Sequence, residues 1–147
     1  MEKDKFFARK KKGNKELVML KEIIICIVIV IAIVFGNNVT QDYTKESVNE
    51  LSNELMTLRE NVNQEDMQNE KIKNEAENIY KQWEKKHEKL AYYIEHDELE
   101  KVETELIGIK SDLETEDYEE LVIGIDKSVF ILKHIEDKYA FNLQNIF

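Results

Sequence analysis

Thirteen consecutive apolar residues, Ile23 to Phe35 (IIICIVIVIAIVF), constrain this chain more than any other feature. A water-soluble fold would have to cover all sides of such a segment. Adding Leu17 to Leu20 (LVML), across Lys21 and Glu22, brings the stretch to nineteen residues, close to the roughly 20 that a helix needs to cross about 30 Å of hydrocarbon. Lys21 can lift its ammonium toward a headgroup layer, and Glu22 lies near the same interface. The sequence therefore predicts one transmembrane helix over residues 17–36.

The flanks predict its orientation. Lys3, Lys5, Arg9, Lys10, Lys11, Lys12 and Lys15 precede the stretch, and only Lys45 lies in the twenty residues after it. By the positive-inside rule, residues 1–16 form a basic cytoplasmic tail and the bulk of the chain is extracytoplasmic. The expected location is the cell membrane, in a single-pass signal-anchor arrangement. The same basic start and apolar core also fit a secretory signal cleaved near Val34-Phe35-Gly36, so cleavage stays open.

Beyond Gly36 the polar segment GNNVTQDYTKES suggests a turn-like tether over residues 37–46, and residues 47–147 show helical periodicity. Ser47 and Glu50 have capping-box spacing, after which Val48, Leu51, Leu55, Leu58 and Val62 recur at helical intervals. NQED (residues 63–66) interrupts the phase. A second stripe follows in Ile72, Ala76, Ile79, Trp83, His87, Leu90 and Ile94. The longer interval to Leu99, with Asp97 and Glu100 at capping spacing, places a turn at His96 and Asp97. Leu99, Val102, Leu106, Ile109 and Leu113 mark a third helix. Thr115 or Asp117 can cap a fourth, which carries Tyr118, Leu121 or Val122, Ile125, Val129, Leu132 and Ile135.

Proline is absent and 35% of residues are charged, which favours helix over sheet. The expected fold class is all-α, with the N-terminal transmembrane helix followed by an antiparallel four-helix bundle of coiled-coil-like stripes. Gly108 and Gly124, inside the third and fourth helices, suggest close helix approach. The apolar ending FNLQNIF is expected to fold back along the bundle, with a docking tail for another protein as the alternative.

Charge divides the chain unevenly. Residues 1–36 are net +4 and residues 37–147 net −14, so the body would repel a phosphate backbone, and nucleic acid is not an expected partner. Cys26 is the sole cysteine, which rules out an intramolecular disulfide.

Little in the sequence points to catalysis. Glu84 and His87 have the Glu-x-x-His spacing that places two metal ligands on one helical face, as in di-iron carboxylate bundles. Tyr93 and Ile131 stand three residues before His96 and His134, so the second motif such a site requires is missing. Glu84 and His87 remain a remote metal candidate. The preferred reading makes His87 a hydrogen-bonded core or boundary residue between Trp83 and Leu90. His96, Asp97 and Glu98 could bind a cation. They fall at the expected helix boundary, however, which explains them without chemistry, with Asp97 as cap and His96 against the end of the second helix. No activated nucleophile, Gly-rich phosphate loop or EF-hand spacing occurs. No catalytic residue and no cofactor are expected.

Trp83, Leu90, the IEHDELE segment from Ile94 to Glu100, then Val102, Leu106 and Ile109, and the ending Asn145-Ile146-Phe147 together resemble the DUF4363 family of bacterial membrane-anchored helical proteins. The resemblance implies an anchor, a helical domain outside the cytoplasm and no assigned activity, with an accessory role beside a larger membrane protein. It also implies that Trp83, His96, Glu98 and Asn145 are structural signature positions. The function expected is that of a non-enzymatic, membrane-anchored interaction or accessory protein whose partner is a membrane protein or another copy of itself. The alternatives are a ligand-sensing helical bundle acting through a membrane partner, its small-molecule ligand unknown, and, remotely, a metal-dependent enzyme.

Overall fold

The computed structural model describes the backbone of residues 2–64 and 69–140 and the side chains of 18–62 and 69–140. The order is α1 (Glu2–Gln64), α2 (Glu70–Leu90), α3 (His96–Thr115) and α4 (Tyr118–Tyr139). No strand occurs among the described residues. The chain divides into two units, Met1–Val39 and Thr40–Phe147.

In the first unit, the apolar residues from Val18 to Val39 are exposed. This stretch of α1 is long and apolar enough to cross a membrane.

The second unit is a bundle of four antiparallel segments: residues 40–64 of α1, then α2, α3 and α4. Cross-helix pairs give the directions, because partners rise along one helix as they fall along its neighbour. Glu50, Glu54 and Asn61 of α1 pair with Lys86, Gln82 and Glu75 of α2. Glu77 and Tyr80 of α2 face Lys110 and Glu103 of α3. Glu98 and Glu105 of α3 face Lys138 and Lys127 of α4. Arg59 reaches Asp126, its Nε 3.0 Å from the carboxylate, and so links α1 to α4.

The predicted stripes form the core. Val48, Leu51, Leu55, Leu58 and Val62 of α1 are buried with Ile72, Ala76, Ile79, Trp83 and Leu90 of α2, and so is Ile94 in the turn that follows. All five predicted residues of α3 join them, as do Leu121, Ile125, Leu132 and Ile135 of α4. Val129 packs at the edge of this core, whereas Tyr118 is exposed. Placing one apolar stripe per helix inside and Glu and Lys outside satisfies each helix in water.

Several local expectations change. Residues 37–46 are helical, not a turn-like tether. Polarity misled there, since Asn, Thr and Gln are tolerated in a helix that continues into a packed segment from Val48 onward. Ser47 is accordingly not a cap but a buried mid-helix residue whose hydroxyl has no hydrogen-bond partner. Thr44, in the same stretch, donates to the Thr40 carbonyl at 2.8 Å, and the Tyr93 hydroxyl donates to that carbonyl at 3.3 Å. The NQED interruption falls two residues early, because Asn63 and Gln64 still belong to α1; residues 65–66 lie outside the described residues.

Asn69 caps α2, its side chain accepting from the Lys71 N–H at 2.9 Å. The α2–α3 turn is closed by backbone bonds from Tyr93 and Ile94 to the Leu90 carbonyl. Glu95 takes the N-cap position of α3 without a side-chain cap bond, so Asp97 lies in the first turn and does not cap it. An acidic side chain there still favours the helix dipole. Asp117 does cap α4, accepting from the Glu120 N–H at 3.2 Å. Between α3 and α4 the chain reverses through Glu116, which adopts a left-handed φ of 59°.

Of Gly108 and Gly124, only Gly124 serves close packing. A Cβ on Gly124 would stand 3.2 Å from Ile109 Cγ1, whereas one on Gly108 would meet open space. Gly124 lies on the α3-facing side of α4 and Gly108 does not lie on a seam. The ending FNLQNIF, Asn145 included, lies outside the described residues.

Candidate functional site: a charged groove and the signature turn

Three of the four signature positions fall within the described residues, and their surroundings differ. Trp83 is 1% exposed in the core, and its indole N–H has no hydrogen-bond partner. Glu98 is 7% exposed although it is ionisable. Its carboxylate lies 3.0 Å from Lys138 Nζ and 3.2 Å from Lys101 Nζ. Lys138 also reaches Glu95 at 2.8 Å. Hydrogen bonds from Lys138 and then Lys101 hold the Glu98 carboxyl below its ordinary range. Donating to Glu95 and then to Glu98 holds the Lys138 ammonium well above its own ordinary range. The Glu95 N–H donates to the Tyr139 hydroxyl at 2.8 Å. Together these contacts clamp the first turn of α3 to the last turn of α4.

His96 opens α3 and is exposed, its Nε2 3.1 Å from Glu100. It therefore sits at a helix N-terminus, contrary to the expected place at the end of α2, because α2 stops at Leu90 and a five-residue turn follows.

His87 is half-buried on the Trp83 face of α2. Its ring lies edge-on to Trp83 at 5.6 Å and tilted to His96 at 6.1 Å. Contrary to expectation, its buried Nε2 has no hydrogen-bond partner, because Trp83 and Leu90, its neighbours on that face, offer no acceptor. Glu84 is exposed. Among the described residues, no group of three His, Cys, Asp or Glu side chains could hold a metal ion.

On the other side of α2 lies a feature that the sequence reading missed. Tyr43, Glu46, Ser47 and Glu50 of α1 and Gln82, Lys85, Lys86, Glu88 and Lys89 of α2 line an open groove of about 500 Å³. Lys86 and Glu50 form an ion pair across it. Lys89 places its ammonium 5.1 Å from the centre of the Tyr43 ring, a cation–π contact. The signal was present as Lys85, Lys86 and Lys89 at helical spacing, but the opposite wall begins with Tyr43 and Glu46, which the sequence places in a tether.

Residues 38–146 match the family described as a domain of unknown function, DUF4363. The chain belongs to that family. The match starts two residues before the bundle and runs through its whole described length, so in this DUF4363 protein the clamp and the groove both lie inside the family's domain. No curated protein and no solved structure matches the chain.

Proposed function

We propose that this DUF4363 protein is a non-enzymatic, single-pass membrane protein that presents a helical bundle outside the cytoplasm to a partner, either a larger membrane protein or another copy of itself. One observation carries the reading: the apolar residues from Val18 to Val39 are exposed, while the bundle closes its core with its own residues. The first needs an apolar surrounding, and the second leaves whole helix faces free for contact. Phe130, 73% exposed, and Ile123 two turns before it on the outer face of α4 are apolar contact candidates. The basic residues before the stretch support a cytoplasmic N-terminus.

Cross-linking and affinity capture of the tagged full-length protein from its own cells tests this. The expected result is one dominant membrane protein, or the protein itself, lost when residues 40–147 are deleted. Capture of neither would overturn the reading. A C-terminal tag that resists added protease in intact cells would overturn the orientation.

A second reading, a ligand-sensing bundle that acts through a membrane partner, draws support from the groove. A thermal-shift screen of small zwitterions and anions on the full-length protein separates it from the first, since a pure scaffold shows no shift.

A further inference from the structure

The two ends of the bundle differ in what their connections are made of. At one end α1 leads to α2 through EDMQN (residues 65–69), and α3 leads to α4 through Glu116 and Asp117. Both are polar and acidic, as turns in water ordinarily are. At the opposite end the α2–α3 connection, residues 91–95, reads AYYIE, and the chain runs on from Ala140 as FNLQNIF. Ile94 of that turn is buried. Tyr92 is 89% exposed, more than any other large apolar or aromatic side chain among the described residues.

This apolar end is also the one that α1 enters from its membrane-compatible stretch. The Tyr93 hydroxyl donates to the Thr40 carbonyl at 3.3 Å, and the Glu95 N–H donates to the Tyr139 hydroxyl. Tyr139 and Ala140 line one cavity with Gln41 and Thr44, so the turn and the end of α4 gather where the bundle part of α1 begins. Thr40 stands five residues past Phe35 within a continuous helix, a rise of about 7.5 Å. A headgroup layer is about 5–7 Å thick on each side of the hydrocarbon. Four of the six tyrosines, Tyr43, Tyr92, Tyr93 and Tyr139, collect at this end. Tyrosine joins an apolar ring to a polar tip and is enriched at membrane–water interfaces for that reason. Tyr93 and Tyr139 use their hydroxyls within the bundle and Tyr43 faces the Lys89 ammonium, which leaves Tyr92 as the bare ring.

We propose that this end of the bundle rests on the lipid surface that residues 17–36 cross, with Tyr92 and the apolar ending from Phe141 to Phe147 in the interfacial layer. The proposal rests on the single-pass reading above. The contact is apolar and aromatic in kind, since residues 37–147 at net −14 are repelled by anionic headgroups.

Spin-label resonance on the full-length protein in phosphatidylcholine bilayers tests it. In a Cys26→Ser background, single labels enter through Tyr92→Cys and Phe141→Cys, with Phe130→Cys on the outer face of α4 and Ile29→Cys in the apolar stretch as references. Tyr92, Phe130 and Ile29 are exposed, so these variants should keep the wild-type circular dichroism. Relaxation by oxygen relative to relaxation by a water-soluble nickel chelate should be severalfold higher at Tyr92 and Phe141 than at Phe130, and highest at Ile29. A ratio at Tyr92 or Phe141 equal to that at Phe130, with Ile29 in lipid, overturns the proposal and leaves the single-pass reading standing. Weak relaxation by both agents at either site marks packing against protein and overturns it as well. A water-like ratio at Ile29 overturns the single-pass reading, and this proposal with it.

Discussion

Two stretches of α1 show what the same secondary structure can be used for. From Ile23 to Phe35 the large apolar side chains are 52–69% exposed, with no polar face anywhere around the helix. From Val48 to Val62 apolar residues recur every three or four positions, and those positions are no more than 3% exposed. The first pattern cannot be satisfied by any partner helix in this chain, because burying one side leaves the others bare. The second needs only one face covered and finds it in α2 and α4. Helical propensity is common to both, and the distribution of apolar residues around the axis decides whether covering one face is enough.

Substitutions in the two regions should therefore fail in different ways. The largest effect is expected from Trp83→Ala, which empties the centre of the bundle and should cost about 3–5 kcal/mol, read as a lower urea midpoint for the full-length protein in detergent. Its membrane association should be unchanged. Ile29→Arg should do the reverse, costing about 2.5–3.5 kcal/mol of insertion. It should reduce the fraction that resists alkaline extraction while leaving the urea midpoint in place. If either variant moved both readouts, the two regions would not be separable.

Smaller changes sharpen the picture within the bundle. Gly108→Ala should stabilise by about 1 kcal/mol, the ordinary gain in helix propensity, since nothing stands near its added methyl. Gly124→Ala should fall short of that or lose stability, because Ile109 Cγ1 is 3.2 Å from the new atom. Thermal unfolding of both variants checks the ranking, and the opposite order would remove the close approach of α3 and α4.

The smallest effect at neutral pH concerns the clamp. Glu98 has a folded pKa below its ordinary value of 4.5. Its contribution is therefore fully present above pH 4.5 and is lost as pH falls through the lower folded value. Glu98→Gln should cost about 1 kcal/mol at pH 7 and flatten the fall in stability below pH 4.5. An unchanged acid limb in a pH series of urea midpoints would mean that Lys138 and Lys101 do not hold the carboxylate in solution.

Much of the bundle was legible because periodicity is a direct record of burial. Leu51, Leu55, Ile79, Leu106 and Leu132 each lie where their spacing put them. The start of the bundle was not legible, since Asn37 to Glu46 look like a loop by composition and become helical through packing further along. The signature turn was read one step out of register. The spacing places a boundary at His96 and Asp97, but it lies at Leu90 to Glu95, where backbone bonds and the buried Ile94 set the turn. Lys138, far away in sequence, explains Glu98, and no local pattern reports a pair forty residues apart. The groove escaped for the same reason, because it needs Tyr43 and Lys89 side by side.

The clamp also bears on how the bundle opens. The α3–α4 hairpin is covalently joined at one end through Glu116 and Asp117 and pinned at the other by Glu95, Glu98, Lys138 and Tyr139. A helix normally frays from its ends, but here the last turn of α4 is tied to the first turn of α3. Amides near Ile135 should therefore exchange with deuterium together with those of α3, as one slow cooperative unit, and not as a gradient of fraying along α4.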